Sequence, residues 1–163
     1  MVYIIDYVPV KTNRLLLKQT SRDDIELILK MDKQEDTQLF LGGIKDKTRE
    51  ERLFFLDKKN KNKNSLTIMI DNIPIGFAGL TILGNVAEVS YIFDSDYTGN
   101  GYCSEVIAKL VEIAFNVIKL DKLYAFCKED NIASQKVLLK NSFIQKGFEN
   151  EFLYYELERL VWK

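Results

Sequence analysis

Histidine is absent from the 163 residues of this chain. Without an imidazole there is no Ser/His or Cys/His nucleophilic couple and no histidine-ligated metal. Cysteine occurs only at Cys103 and Cys127. Two thiols are too few for a disulfide framework and lack the paired spacing of a zinc site, so no metal cofactor is expected and a reducing, cytoplasmic setting fits. Proline and glycine are scarce, at 2 and 8 residues, which excludes collagen-like and low-complexity chains. An excess of charge of either sign is also missing: 23 basic residues face 24 acidic ones, for a net charge of −1. No global positive field gathers a nucleic acid or an anionic membrane as partner. No apolar run approaches the roughly 18 residues of a membrane span. The opening MVYIIDYVPV is broken by Asp6 and Pro9 and has no basic region before it, so it makes a poor secretion signal.

What is present is 47% hydrophobic and 29% charged, the profile of one globular domain spanning residues 1–163. Arg14 to Gln19 reads as a strand, followed by a helix capped at Ser21 with Ile25, Ile28 and Leu29 on one face. Thr48-Arg49-Glu50-Glu51 is a capping box that announces a second helix with Leu53, Phe54 and Leu56 as its buried stripe. Lys58 to Asn64 reads as a solvated loop, because no aromatic residue interleaves its lysines. Ser65–Ile70, Pro74–Leu83 and Val86–Phe93 are β-rich runs joined by tight-turn sequences, which predicts an antiparallel meander. From Tyr102 to Lys119 the period becomes 3.6, with Val106, Ile107, Leu110, Val111, Ala114, Phe115 and Ile118 on one face. A strand at Leu123–Cys127, a helix at Ile132–Asn141 and strands at Ile144–Phe148 and Phe152–Leu160 complete the order β-α-α-β-β-β-α-β-α-β-β. A long helix between neighbouring strands makes a parallel crossover, so a mixed α/β (α+β) sheet is expected.

The informative stretch joins the third β-run to the long helix: Phe93-Asp94-Ser95-Asp96-Tyr97-Thr98-Gly99-Asn100-Gly101-Tyr102-Cys103-Ser104-Glu105. A helix N-terminus presents unpaired N–H groups and partial positive charge, and glycines allow close approach and positive φ, so this is where a phosphate would sit. The dinucleotide fingerprint is incomplete, since Ser104 stands at the third glycine, and no G-x-x-x-x-G-K-[ST] occurs. Two glycines that merely turn the chain into a helix are the plain alternative.

These residues resemble the GNAT acyltransferase superfamily, and within it the ribosomal-protein N-terminal acetyltransferases, over roughly Arg14 to Leu157. The motif Q/R-x-x-G-x-G/A falls on Thr98-Gly99-Asn100-Gly101-Tyr102-Cys103, with Thr98 and Cys103 departing from it. Gly99-Asn100-Gly101-Tyr102-Cys103-Ser104-Glu105 fits the branch pattern of G-x-G-Y, a small residue, a hydroxyl residue and Glu. A second motif, N-x-x-S followed by an apolar pair and G-F, appears as Asn131-Ile132-Ala133-Ser134, Val137-Leu138 and Ser142-Phe143, with Ser142 in place of glycine.

The resemblance implies a GNAT-like acyl-CoA N-acyltransferase fold. It also implies acetyl-CoA as cosubstrate, with its pyrophosphate on Gly99 to Cys103 and its pantetheine arm between the strands at Val86–Phe93 and Leu123–Cys127. It places the Phe93 N–H on the pantetheine and the Tyr91 N–H at the thioester carbonyl, with Thr98, Tyr102, Ser104, Asn131 and Ser134 among the cofactor residues. The acceptor is a primary amine, on a protein N-terminus or a small molecule. Such an amine is mostly protonated at pH 7 and must lose that proton before attack. Glu88 is the candidate base, a solvent-facing strand glutamate being the alternative, with Glu105, Glu149 and Glu151 behind it. The family's tyrosine acid is replaced at Leu139, which shifts the role of hydrogen-bonding the thiolate to Ser134, with Asn131 as a positioning residue; capping is the competing role for both. Cys103 in a first helical turn makes a covalent route conceivable, though no base stands near it in sequence. Lys136 and Lys140 are candidates for coenzyme phosphates, and Phe40, Tyr154 and Tyr155 line an apolar acceptor slot or pack the core. An acyl-CoA-binding module without transfer is the alternative function, and a homodimer is the association allowed for.

Overall fold

The computed structural model describes residues 1–162. Its elements are β1 (Val10–Lys11), β2 (Leu16–Gln19), α1 (Ile25–Asp32), α2 (Glu35–Gln38), α3 (Arg49–Asn62), β3 (Ser65–Ile70), β4 (Ile73–Leu83), β5 (Val86–Phe93), α4 (Tyr102–Glu112), β6 (Lys122–Lys128), α5 (Ile132–Lys140), β7 (Ile144–Glu149) and β8 (Phe152–Glu158). The expected order is therefore present with two additions, β1 and α2, which at two and four residues are too short to carry a periodic signal.

The strands form one sheet in the order β1-β2-β3-β4-β5-β6-β8-β7. Every pairing is antiparallel except β5 with β6, the pair that α4 bridges. α4 and α5 cover one face, where Val106, Ile107, Leu110, Val111, Ala114 and Phe115 join Leu123, Ala125 and Leu157 in the main core. Past Glu112 the long helix continues to Ile118 in wider turns and closes at Lys119 with φ 67. α1 and α3 cover the other face at β4 and β5, where Ile28, Met31 and Leu56 pack on Phe77.

Two expectations about α3 fail. The helix continues through the Lys/Asn run to Asn62 and ends at Lys63, whose φ is 57. The Lys59 ammonium stands 5.5 Å from the Phe55 ring centre and 5.8 Å from that of Phe77, and that cation–aromatic contact ties down a polar stretch that reads as loop. Phe54, expected in the buried stripe, is 63% exposed. Of the expected capping box only the Thr48 half forms, Thr48 Oγ1 accepting from the Glu51 N–H at 3.1 Å.

Gly76 on β4 sits opposite Phe93. A methyl group there would stand 2.6 Å from the Ile92 carbonyl oxygen and 3.2 Å from the Phe93 Cα, both backbone atoms that cannot rotate away. At Gly79 the 2.6 Å neighbour is the Ser90 hydroxyl, which can. Gly76→Ala is therefore expected to destabilise by about 2 kcal/mol and Gly79→Ala by clearly less, as read from urea denaturation midpoints.

Candidate functional site

The β5–β6 ladder is short. It registers Val86 with Lys122, Ala87 with Leu123 and Glu88 with Tyr124, and there it stops. β5 meanwhile stays paired with β4 as far as Phe93, and β6 with β8 as far as Lys128. The two parallel strands thus diverge beyond Glu88 and Tyr124. The Asp94 N–H donates to the Ile75 carbonyl on the β4 side at 2.8 Å. Alternation along the strand then turns the Tyr91 and Phe93 amides toward the gap.

At the end of β5 the chain enters the glycine loop. Gly99 and Gly101 have φ of 81 and 78, the region that only glycine enters freely. The Thr98 hydroxyl donates to the Ser95 carbonyl at 3.0 Å, and the Asn100 amide to the Tyr97 and Thr98 carbonyls at 3.3 Å. The side chains are spent on the loop's own carbonyls. Among the described residues, the amides of Gly99, Asn100, Gly101, Tyr102, Cys103 and Ser104 donate to no protein acceptor, and the first helical bond runs from the Glu105 N–H to the Gly101 carbonyl at 3.1 Å. Six adjacent donors, a helix N-terminus and open space beside Gly99 make a cradle that fits a diphosphate.

Both ends of this loop are tied down by acids. Asp94, buried, accepts from Lys30 Nζ at 2.7 Å, the Gln34 amide at 2.7 Å and the Asp96 N–H at 2.9 Å. Burial works to raise its pKa, but these bonds outweigh it and hold the carboxyl below its ordinary value. Glu105 accepts from the Arg14 N–H and Nε, each at 2.8 Å, and from the Thr12 hydroxyl. Its pKa is likewise lowered, against burial, by Thr12 and Arg14. Glu105 is thus a strut and not a base candidate. Arg14, which sequence reasoning did not single out, lies with its guanidinium 4.5 Å over the Tyr102 ring and Nη2 3.4 Å from where a Gly101 Cβ would stand. A residue 85 positions or more before the loop leaves no local signal of such a contact.

On the α4 face of the gap, the Tyr91 hydroxyl lies 2.6 Å from Ser134 Oγ. Burial, with smaller help from Cys103, pushes the phenol well above its ordinary value. Asn131 Oδ1 accepts from the Ser134 N–H at 3.1 Å, so its oxygen serves as the cap of α5. Burial raises the pKa of the nearby Cys127 thiol. The Cys103 thiol is pushed up to about 12 by burial, which removes the thiolate a covalent route needs. Leu139 is exposed, and the residue of α5 turned inward beside it is Leu138; either is aliphatic and cannot donate a proton. Ser142 has φ 72, which explains why the motif it departs from carries glycine there. Ser104 Oγ accepts from the Asn141 amide at 3.1 Å, tying α4 to α5.

Glu88 stands at the apex of the gap on the opposite face, half-buried, beside Tyr124. Glu149 and Glu151 are exposed at the β7–β8 turn, and Lys136 and Lys140 are exposed on α5. Tyr155 is in the core, whereas Tyr154 lies on the other face with Tyr124 and Phe126, its ring 5.1 Å from that of Phe126. No group of His, Cys, Asp and Glu is placed to hold a metal ion, and no helix is long and apolar enough to cross a membrane, among the described residues.

Asp94 yields a stability prediction. Its lowered pKa means the stabilisation is fully present above the unfolded value of about 4 and is lost as pH falls through the lower folded value. Asp94→Asn is expected to be about 2 kcal/mol less stable than the parent at pH 7. The difference should narrow below pH of about 4, as measured by urea unfolding at both pH values.

Residues 14–144 match the family model described as Acetyltransferase (GNAT) domain. The chain is 26% identical over 155 residues to the uncharacterized N-acetyltransferase YoaA of Bacillus subtilis, covering 89% of this chain and 88% of that one. Its fold resembles a GNAT-family acetyltransferase from Bacillus anthracis, with TM-score 0.80, 23% identity and coverage of 93% and 98% of the two chains. It also resembles spermidine N-acetyltransferase from Vibrio cholerae solved with CoA and spermine, with TM-score 0.76, 15% identity and coverage of 90% and 96%.

Proposed function

Since the chain belongs to the GNAT acetyltransferase family and is an acetyl-CoA-dependent acyltransferase, we propose that it transfers acetyl by direct attack of a primary amine, borne by a protein N-terminus or a small molecule. The observation that carries this reading is the divergence of β5 from β6 beyond Glu88 and Tyr124, beside six free amides from Gly99 to Ser104. Acetyl-CoA supplies an activated acetyl thioester and leaves as a thiol.

The residues of the chain divide the remaining work. The amides from Gly99 to Ser104 hold the diphosphate at the α4 N-terminus, and the Arg14 guanidinium beside Gly101 supplies the cation that Thr98 does not. The Phe93 amide fixes the pantetheine arm. The Tyr91 amide faces the thioester carbonyl, where a donor aimed at developing oxyanion charge is worth about 3 kcal/mol. Glu88, with no protein hydrogen-bond partner among the described residues, takes the amine's proton directly or through water. Ser134 hydrogen-bonds the departing sulfur, held in place by the Tyr91 hydroxyl at 2.6 Å. A phenol pushed above its ordinary pKa keeps its proton. Its part is therefore to orient and donate a hydrogen bond and not to protonate a thiolate with pKa near 8.5. Asn131 positions Ser134 through the cap of α5.

Release of CoA thiol from acetyl-CoA with a panel of amines tests the reading. Glu88→Gln is expected to lower kcat by about 100-fold with the acetyl-CoA KM unchanged; an unaltered kcat gives the base role to water alone. Arg14→Ala should raise the acetyl-CoA KM about tenfold with little change in kcat. Cys103→Ala should retain activity, which an acetyl-enzyme on that thiol would not allow. Thermal shift supplies the binding arm: CoA at 100 times its Kd should stabilise the fold by about 2.7 kcal/mol.

A further inference from the structure

A cavity of about 240 Å³ lies between α1, α2 and α3 and the sheet, with Phe77 of β4 and Ile92 of β5 as its floor. It is on the Glu88 face, and Ile92 follows directly on Tyr91, whose amide faces the gap. The cavity therefore lies over the β4–β5 ladder, one residue along β5 from the proposed acyl position.

Its walls are mostly apolar, with three cations and one acid, Asp32, set in them. Met31, Phe55 and Leu56 supply the apolar part, and Lys45, Arg52 and Lys59 the charge. Two of the three cations are engaged. Arg52 forms a two-pronged pair with Asp32, at 2.7 and 2.5 Å. The Lys45 ammonium is held by the Leu41 carbonyl and, at 3.0 Å, by that of Gly43. Lys59 differs: its ammonium stands 5.5 Å from the Phe55 ring centre and 5.8 Å from that of Phe77, with no carboxylate in ion-pair reach among the described residues. Burial, and then the nearby Arg52, lower its pKa. A sequestered ammonium beside a second cation is short of a counter-charge.

We infer that this cavity is the acceptor recess, and that it selects an amine carrying an apolar group together with a carboxylate, which Lys59 pairs; the hydrophobic α-amino acids are that class. The inference rests on the acetyl-transfer reading above. Volume supports the choice, because 240 Å³ holds one side chain and its carboxylate and falls below the roughly 300 Å³ at which enclosing sites for larger ligands begin. Charge supports it too. A polyamine would bring further cations against Lys59, which has no carboxylate in ion-pair reach among the described residues, and like charges repel in a poorly solvated space.

The test uses L-phenylalanine, L-phenylalaninamide and spermidine with the full chain, in the presence of CoA for calorimetric binding and of acetyl-CoA for thiol release. L-Phenylalanine is expected to bind and to turn over at least about tenfold better than its amide, and spermidine to be the poorest. Lys59→Met, which keeps the stem and the aromatic contacts, should erase the acid-over-amide preference, and Lys59→Arg should restore part of it. Equal binding of acid and amide, preference for spermidine, or a preference that survives Lys59→Met overturns the inference. Those outcomes leave transfer to other amines intact. Discriminating binding with no thiol release for any amine would keep the carboxylate site and overturn the transfer reading instead.

Discussion

A parallel ladder that ends after Glu88 and Tyr124 is the constraint on which the rest of the structure depends. A backbone N–H hidden without an acceptor costs about 1–3 kcal/mol, so folds rarely leave consecutive donors idle. Here the loop donors from Gly99 to Ser104, and strand amides at the edge of the gap, have no acceptor among the described residues. They are tolerable because they border solvent or the gap and not packed side chains. Pairing on the outer edges holds the gap open: β4 follows β5 to Phe93, and β8 follows β6 to Lys128. The bare Cα of Gly76 lets β4 come close at the level where β5 has already left β6.

Rigidity of the loop comes from its two acids acting in opposite directions. Asp94 anchors the incoming chain to α1 and the start of α2 through Lys30 and Gln34, while Glu105 anchors the outgoing helix to the β1–β2 connection through Arg14 and Thr12. Neither acid points its charge into the cradle, where it would repel an anion. Each instead neutralises a cation or caps a backbone donor, so that what faces outward is the positive end of α4 with the Arg14 guanidinium beside it.

Local pattern made much of this legible. Ser65–Ile70 and Val86–Phe93 match their observed strands to the residue, because short turns at Asp71-Asn72 and Gly84-Asn85 punctuate strong β-character. The glycine loop was readable because Gly99 and Gly101 fall between the end of a strand and the start of a long apolar-faced helix, a setting that the other positive-φ glycines, Gly42, Gly43 and Gly84, lack. The misreadings share a cause, which is that the deciding partner lies far away in sequence. The Lys/Asn run is helical where the Lys59 ammonium meets the Phe77 ring, 18 residues on. Glu105 is a strut because Arg14, 91 residues earlier, reaches it. The Tyr91–Ser134 hydroxyl contact crosses 43 residues, and no window of sequence contains both. For the same reason, the aliphatic residues at Leu138 and Leu139 gave no hint that a phenol arrives from the sheet instead of from α5.

The two sides of β5 present a physical asymmetry that a net charge of −1 conceals. Beyond the glycine loop stand amide dipoles and Arg14; over Ile92 stands Lys59, with Glu88 four residues back along the same strand face. Charges separated by more than about 8–10 Å of electrolyte scarcely feel one another, so local fields rather than the overall balance decide which ligands are drawn in. Under the proposed reading, anionic ends of both reactants are held apart, and the amine is left beside Glu88, which has no protein hydrogen-bond partner among the described residues. An ammonium entering there is steadied by Glu88 only until it gives up its proton. The neutral amine then has nothing to hold it back from the carbonyl that the Tyr91 amide faces. The acceptor's own carboxylate, paired at Lys59, would keep it from competing for that amide. Under that reading, Lys59 and the amide-lined loop hold the anionic ends of the two reactants, and Glu88, farther back along β5, receives the amine's proton.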